Sequence, residues 1–138
     1  MPFHRFYIPR DLYTAEEKQA IAAAVTATYQ RIPKFYVVVN FINIEDGDFF
    51  VGGEKNNKFV RIVVHHLAFH WESDEDKRAF MDRYEEAITP WTKDRGLDWE
   101  LQVSNQDPVF WNENGIQPPP FGSEAFQLWK SENRPVPY

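Results

Sequence analysis

The first group along the chain that could do chemistry is the amino terminus. Pro2 follows Met1, and cells normally remove a methionine that precedes a small residue, which would leave proline as a secondary amine. An α-amino group has a reference pKa of about 8, and burial beside Phe3, Phe6 and Tyr7 would lower it by desolvation. An amine that titrates near neutral pH is suited to proton transfer. Pro2 is therefore predicted to be a general acid or base, although a retained Met1 would leave its nitrogen as an amide.

The remaining motifs do not predict metal or phosphate chemistry. The chain has no cysteine, which excludes thiol nucleophiles and cysteine-bound metals. His65 and His66 are adjacent on a predicted strand, so their side chains should point to opposite faces. The acidic residues at 45, 46 and 48 lack the downstream glutamate of a calcium loop. We predict no metal site.

Charge and hydropathy narrow the possible partners. Fifteen Lys and Arg against 21 Asp and Glu give a net charge of −6, which argues against binding to a nucleic acid. No apolar stretch approaches the roughly 18 residues of a membrane span. The first residues also lack the pattern of a signal peptide, so a cytoplasmic protein is expected.

The elements that would position Pro2 begin with a β-α-β unit. Residues 2–8 have the alternation of a short strand that ends at Pro9, and this alternation places Arg5 on the face opposite Pro2. Thr14 and Glu17 form a capping box at the start of a helix, and we expect this helix to end near Pro33. Residues 34–44 are predicted to form the second strand, and 49–53 a short strand closed by two glycines.

A second β-α-β unit follows. Residues 59–69 are predicted to be a strand, and Ser73 caps the helix after it. Pro90 should kink this helix or end it early. Residues 98–105 are predicted to be the last main strand, and a short helical stretch is expected near 123–131.

Two such units predict an α/β (α+β sandwich) fold. Each β-α-β crossover pairs its two strands in parallel, which gives one mostly four-stranded sheet with two helices on one face. We expect a single domain over 1–138, with halves at about 2–58 and 59–121 and a surface extension at 122–138. The uncovered sheet face and the 23 aromatic residues favour an oligomer.

Short motifs within this order resemble the tautomerase superfamily. They are the amino-terminal Pro2, Asn-Phe at 40–41, Phe-Val-Gly-Gly at 50–53 and Glu-Asn-Gly at 113–115. The chain is most similar to the group of cis-3-chloroacrylic acid dehalogenase and its fungal relatives, from Pro2 to about Gly122. The resemblance implies a homotrimer, an amino-terminal proline as acid or base, small 2-oxo or unsaturated carboxylic acids as substrates, and no cofactor.

The resemblance also assigns roles to individual residues. Pro2 matches the catalytic proline, and Glu113 matches a glutamate that positions water. Tyr29 stands where the dehalogenase has a substrate-contacting histidine, and a phenol can still donate a hydrogen bond. Gln102 stands at the place of a tyrosine on the last strand, which implies a role in substrate binding.

The cations that hold the substrate carboxylate are the main departure from the family. Phe69 and Glu72 occupy the places of two arginines, and bidentate arginine–carboxylate pairing is hard to replace. Arg61 and His70 are candidate substitutes, and Phe69 would line the substrate pocket. We therefore do not expect chloroacrylate dehalogenation. Three hypotheses stay open. They are a tautomerase or isomerase, with hydration if Glu113 activates water, an inactive trimer that binds a partner, and a carrier that holds a small ligand in an aromatic pocket.

Overall fold

A computed structural model describes residues 1–138, and it begins with the first β-α-β unit. Strand β1 spans Phe3–Pro9, helix α1 spans Ala15–Ala27 and strand β2 spans Val38–Ile44. Strands β1 and β2 are parallel, with Phe3 opposite Val38. Thr14 caps α1 through the predicted capping box.

The second unit repeats this order after a small hairpin. The hairpin strands are β3, Phe50–Val51, and β4, Glu54–Lys55. Strand β5 spans Phe59–His66, helix α2 spans Asp74–Ile88 and strand β6 spans Asp98–Asn105. Strands β5 and β6 are parallel, and the four long strands form one sheet in the order β2-β1-β5-β6. The predicted fold class is therefore confirmed.

Strands β1 and β5 meet at the centre of the sheet and pair antiparallel. On both strands, alternate residues are fully buried on the face that packs against the helices. The opposite, open face carries partly exposed residues such as Phe3, Arg5 and Val63. The alternation thus places Arg5 on the face opposite Pro2, as expected.

Several predicted boundaries were wrong. The strand predicted at 59–69 ends at His66, and the short strand predicted at 49–53 spans only Phe50–Val51. Helix α1 ends at Ala27 and not near Pro33, because the Thr28 hydroxyl bonds back to the Val25 carbonyl oxygen at 2.7 Å, and threonine hydroxyls compete with helical hydrogen bonds. The strand predicted at 34–44 begins only at Val38, after a single 3₁₀ turn over Lys34–Tyr36. Helix α2 ends at Ile88, two residues before Pro90, which agrees with the expected early end.

The carboxyl-terminal segment contains a third helix. Helix α3 spans Glu124–Glu132, with Ser123 as its cap. Trp129 of this helix is fully buried, and its ring packs against Tyr36 with the centroids 6.2 Å apart. None of the helices is long and apolar enough to cross a membrane.

Candidate functional site

The amino terminus lies at the start of β1 and is packed into the protein. Pro2 is buried, and its carbonyl oxygen accepts a hydrogen bond from the Val38 amide at 3.1 Å. Met1 packs against the core. Burial lowers the pKa of the Met1 amine from 8.0 to about 4, and the Glu113 carboxylate partly opposes that shift. An amine at this end of the sheet is thus desolvated and faces one carboxylate.

A tight turn positions Glu113. Asn114 and Gly115 have φ angles of 50° and 80°, which the paired Asn-Gly of a type I′ turn requires. Glu113 and Ile116 exchange two backbone hydrogen bonds of 2.9 Å across the turn. The Trp111 indole nitrogen donates to Glu113 Oε1 at 3.2 Å. The carboxylate is therefore held near the amino terminus by local structure.

His66 lies on β5, the strand next to β1, at the position opposite Pro2. Phe3 pairs with His65 in the antiparallel register of β1 and β5, so the next pair outward is Pro2 with His66. The His66 side chain is fully buried. Burial and, to a lesser extent, the positive charge of the amino terminus lower its pKa from 6.5 to about 3, although a backbone interaction with Phe69 opposes the shift. The ring is therefore neutral at physiological pH.

Tyr29 packs on the other side of His66. Its ring stacks on His66 with the centroids 5.9 Å apart, and it contacts His4 edge-on at 5.5 Å. The Tyr29 hydroxyl is buried with no hydrogen-bond partner in the chain, and burial raises its pKa. Tyr29 follows the end of α1 instead of lying on the helix, yet it still reaches this site.

Aromatic rings close the site around His66. Phe69 contacts the imidazole edge-on at 4.7 Å, and the Trp71 ring lies 4.1 Å from it between centroids. Tyr36 packs edge-on against Trp111 at 4.7 Å. Burial and, to a lesser extent, Glu113 raise the pKa of Tyr36. Phe69 and Trp71 thus pack against His66, and Trp111 packs beside Glu113, to which it donates a hydrogen bond.

Two cavities share Phe69 as a wall. One, of about 340 Å³, is lined by Tyr29, His70 and Trp71, and also by Arg31 and Arg83. Glu72 and Asp76 lie on the same lining. The second cavity, of about 480 Å³, is lined by Tyr36, Trp111 and residues of the carboxyl-terminal segment.

The two arginines were missed by sequence analysis. Arg31 lies in the loop after α1, and its guanidinium carbon sits 5.0 Å from the centre of the Phe121 ring. Arg83 lies on α2. Neither guanidinium is among the seven ion pairs of the protein. No sequence motif marks them, because only the packing of α1 against α2 brings them to one cavity.

Arg61 and Gln102 lie elsewhere. Both are on the open face of the sheet, where the Arg61 Nη2 donates to Gln102 Oε1 at 3.1 Å and Arg61 also pairs with Glu100. The structure does not bring them to the side of the sheet that carries Pro2, Tyr29 and Glu113. His70 is exposed at the rim of the smaller cavity.

His65 and His66 do point to opposite faces, as the alternation predicted. Arg5 Nη2 lies 2.9 Å from His65 Nε2 on the open face. No group of three or more His, Asp or Glu side chains is arranged to hold a metal ion.

The chain matches one known protein family and is similar to several solved structures. The family described as "Putative oxalocrotonate tautomerase enzyme" matches residues 1–134. No curated protein matches the chain.

Several solved structures are similar over their full length. Native RhCC from Rhodococcus jostii RHA1 is 36% identical, with a TM-score of 0.95 and 99% of each chain covered. A "probable enzyme" from the thermophilic fungus Aspergillus fumigatus is 37% identical, with a TM-score of 0.94 over 100% of this chain and 98% of that one. N1, a member of the cis-3-chloroacrylic acid dehalogenase family, shares the fold at 16% identity, with a TM-score of 0.74 over 95% of this chain and 97% of that one.

Proposed function

Because the chain belongs to the family described as oxalocrotonate tautomerase enzymes, we propose that it catalyses a tautomerase-type proton transfer with the Pro2 amine. The substrate would be a small 2-oxo or unsaturated carboxylic acid. The resemblance predicted from the sequence is confirmed by the family match and the similar structures. The observation that best supports the proposal is the buried amino terminus beside Glu113.

In this proposal, Met1 is removed and the Pro2 nitrogen takes up or gives the proton. Burial favours the neutral amine, whereas Glu113 favours the ammonium form. For proton exchange near neutral pH, the balance of these two influences at Pro2 must leave its pKa well above that of the Met1 amine, which burial lowers to about 4. In ketonisation, the amine accepts the enol proton and the ammonium delivers a proton to carbon. Glu113 would orient a water molecule if the substrate is hydrated.

The cavity that contains Tyr29 and Arg31 would take the substrate carboxylate. Phe69 and Glu72, which stand at the places of the family arginines, supply no cation. Neither Arg31 nor Arg83 takes part in an ion pair, so each would be available to a substrate carboxylate, although Glu72 and Asp76 line the same cavity. The Tyr29 hydroxyl is unpartnered at the same cavity, and it would donate to a substrate oxygen. In this scheme Arg61 and Gln102 would act only from the open face, towards a neighbouring subunit.

Replacing Arg31 or Arg83 by alanine should raise KM about tenfold for each residue, because a hydrogen-bonded ion pair to a carboxylate contributes about 1.5–3 kcal/mol. Steady-state kinetics of both variants would measure this. Arg78→Ala is the matched control, since Arg78 is exposed on α2 and does not line the cavity. An unchanged KM in both cavity variants would remove these arginines from the site.

The role of Pro2 can be tested with phenylenolpyruvate ketonisation. Methionine-free protein, verified by mass, is compared with Pro2→Ala. The variant keeps a primary amine at the same place, so we expect a loss in kcat/KM of about tenfold to a hundredfold, which is no more than the lower limit of what general acid–base catalysis contributes. Equal rates in the two proteins would refute proline-based catalysis.

The departures at Phe69 and Glu72 also support a second candidate, an inactive tautomerase-fold trimer that binds a partner. Absence of activity in the methionine-free protein, together with a stable complex unaffected by Pro2→Ala, would favour it. For both candidates we propose a homotrimer, in which neighbouring copies cover the open sheet face and its partly exposed rings.

A further inference from the structure

Four polar side chains form a buried cluster between the sheet and the helices. They come from four parts of the fold: His4 from β1, His66 from β5, Tyr84 from α2 and Tyr29 from the loop after α1. Their exposed fractions are 0% for His4, His66 and Tyr84 and 6% for Tyr29. Ring centroids of neighbours lie 5.5 to 5.9 Å apart, so the four rings are continuous.

This cluster makes only one internal hydrogen bond. His4 Nδ1 and the Tyr84 hydroxyl lie 2.9 Å apart. His4 Nε2, the Tyr29 hydroxyl and both nitrogens of His66 have no partner in the chain. Buried polar groups nearly always have partners, because leaving one unsatisfied is costly. His66 stands out because neither of its nitrogens has a well-formed hydrogen bond in the chain. Its one polar neighbour is the Phe69 backbone, which interacts with the ring weakly, so at least one nitrogen is left without a partner.

Pro2 is the residue opposite His66 when the register of β1 and β5 is extended by one pair beyond Phe3 and His65. The antiparallel register places the two residues opposite each other on the helix-covered face. His4 is on the same face two residues further along, but one of its nitrogens is occupied by Tyr84. The other titratable groups near this region are Glu113 and Tyr36, from the loops packed over the amino terminus, and His70, whose charge also acts on His66. Only His66 offers a neutral, unused acceptor directly across from Pro2.

We propose that His66 is a positioning residue for the Pro2 amine, accepting a hydrogen bond from its ammonium form. One N–H of the ammonium points to a lone pair of the imidazole, and the second N–H is left for the substrate. Tyr29 fixes the ring by stacking on it. His66 takes no proton in this role. The inference rests on the proposed function only in requiring that Pro2 is a free amine.

The proposed hydrogen bond determines the direction in which His66 changes the pKa of the Pro2 amine. An acceptor stabilises the charged form of the amine and raises its pKa. Removal of both His66 nitrogens should therefore lower the midpoint of the Pro2 titration. A hydrogen bond to a charged group corresponds to a shift of about one pKa unit.

The experiment is a ¹⁵N NMR titration of the amino-terminal proline in methionine-free protein labelled at proline. We expect His66→Phe, which keeps a ring stacked on Tyr29, to lower the midpoint by about one unit. His66→Asn keeps a hydrogen-bond acceptor, so its titration midpoint should stay close to that of the unsubstituted protein. Tyr84→Phe, which alters only the far side of the cluster, should leave the midpoint in place.

Two results would overturn the inference: an unchanged midpoint in His66→Phe, or an equal shift in His66→Phe and His66→Asn. If His66→Phe does not fold, His66→Leu makes the same comparison, with circular dichroism as the check. The titration does not depend on turnover. Full activity in Pro2→Ala would thus refute the proposed function while leaving the midpoint shift to decide the role of His66.

Discussion

Protein that keeps Met1 should ketonise phenylenolpyruvate about 10²–10⁴ times more slowly than methionine-free protein, the range that general acid–base catalysis contributes. With Met1 in place, the Pro2 nitrogen is a peptide nitrogen and has no basic lone pair. The Met1 amine is one residue further out, and burial lowers its pKa to about 4. It is therefore neutral near pH 7 and is too weak a base to be reprotonated efficiently. This loss should exceed that of Pro2→Ala, which keeps an amine at the correct position.

The measurement uses two preparations of one sequence, separated by methionine content and verified by intact mass. Treatment of the retained form with a methionine aminopeptidase is the control, because it should restore the rate without any substitution. Circular dichroism would show whether the two forms are equally folded. Equal rates before and after the treatment would contradict a role for the Pro2 amine.

The sequence predicted the arrangement of the first strand well. Alternation along residues 2–8 placed Arg5 and Pro2 on opposite faces, and the structure confirms this. The caps at Thr14 and Ser73 are likewise where local chemistry predicted them. These features depend on neighbouring residues, so a single sequence is enough to find them. The roles of Pro2, Tyr29 and Glu113 stay predictions, although the structure brings all three to one end of the sheet.

Features that depend on pairing between distant segments could not be found in this way. The position of His66 opposite Pro2 follows from the antiparallel register of β1 and β5, and no local pattern reveals which strands pair. Arg31 and Arg83 meet at one cavity only because α1 packs against α2. For Arg61, by contrast, the same alternation that buries His66 on the helix-covered face could have indicated the open face.

Acidification from pH 7 to pH 5 should lower the free energy of unfolding by about 4 kcal/mol through His4 and His66, about 2 kcal/mol from each. Burial lowers the pKa of both side chains from 6.5 to about 3. Unfolded histidine takes up a proton as the pH falls through 6.5, whereas the folded protein keeps both rings neutral until about pH 3. The stabilisation is therefore complete above pH 6.5 and is lost progressively below it.

Urea unfolding at pH 7, 6 and 5 would measure this dependence, at one protein concentration because assembly would add to the apparent stability. His66→Asn should retain about half of the slope, whatever its stability at pH 7, since it removes one of the two titrating groups. His70→Asn is the control, because His70 is exposed, and it should keep the full slope. The ion-paired carboxylates of Glu45, Asp46 and Asp74 have lowered pKa values and titrate below this window. A full slope in His66→Asn would mean that His66 is not held neutral by burial, and the same finding would remove the neutral acceptor assigned to it beside Pro2.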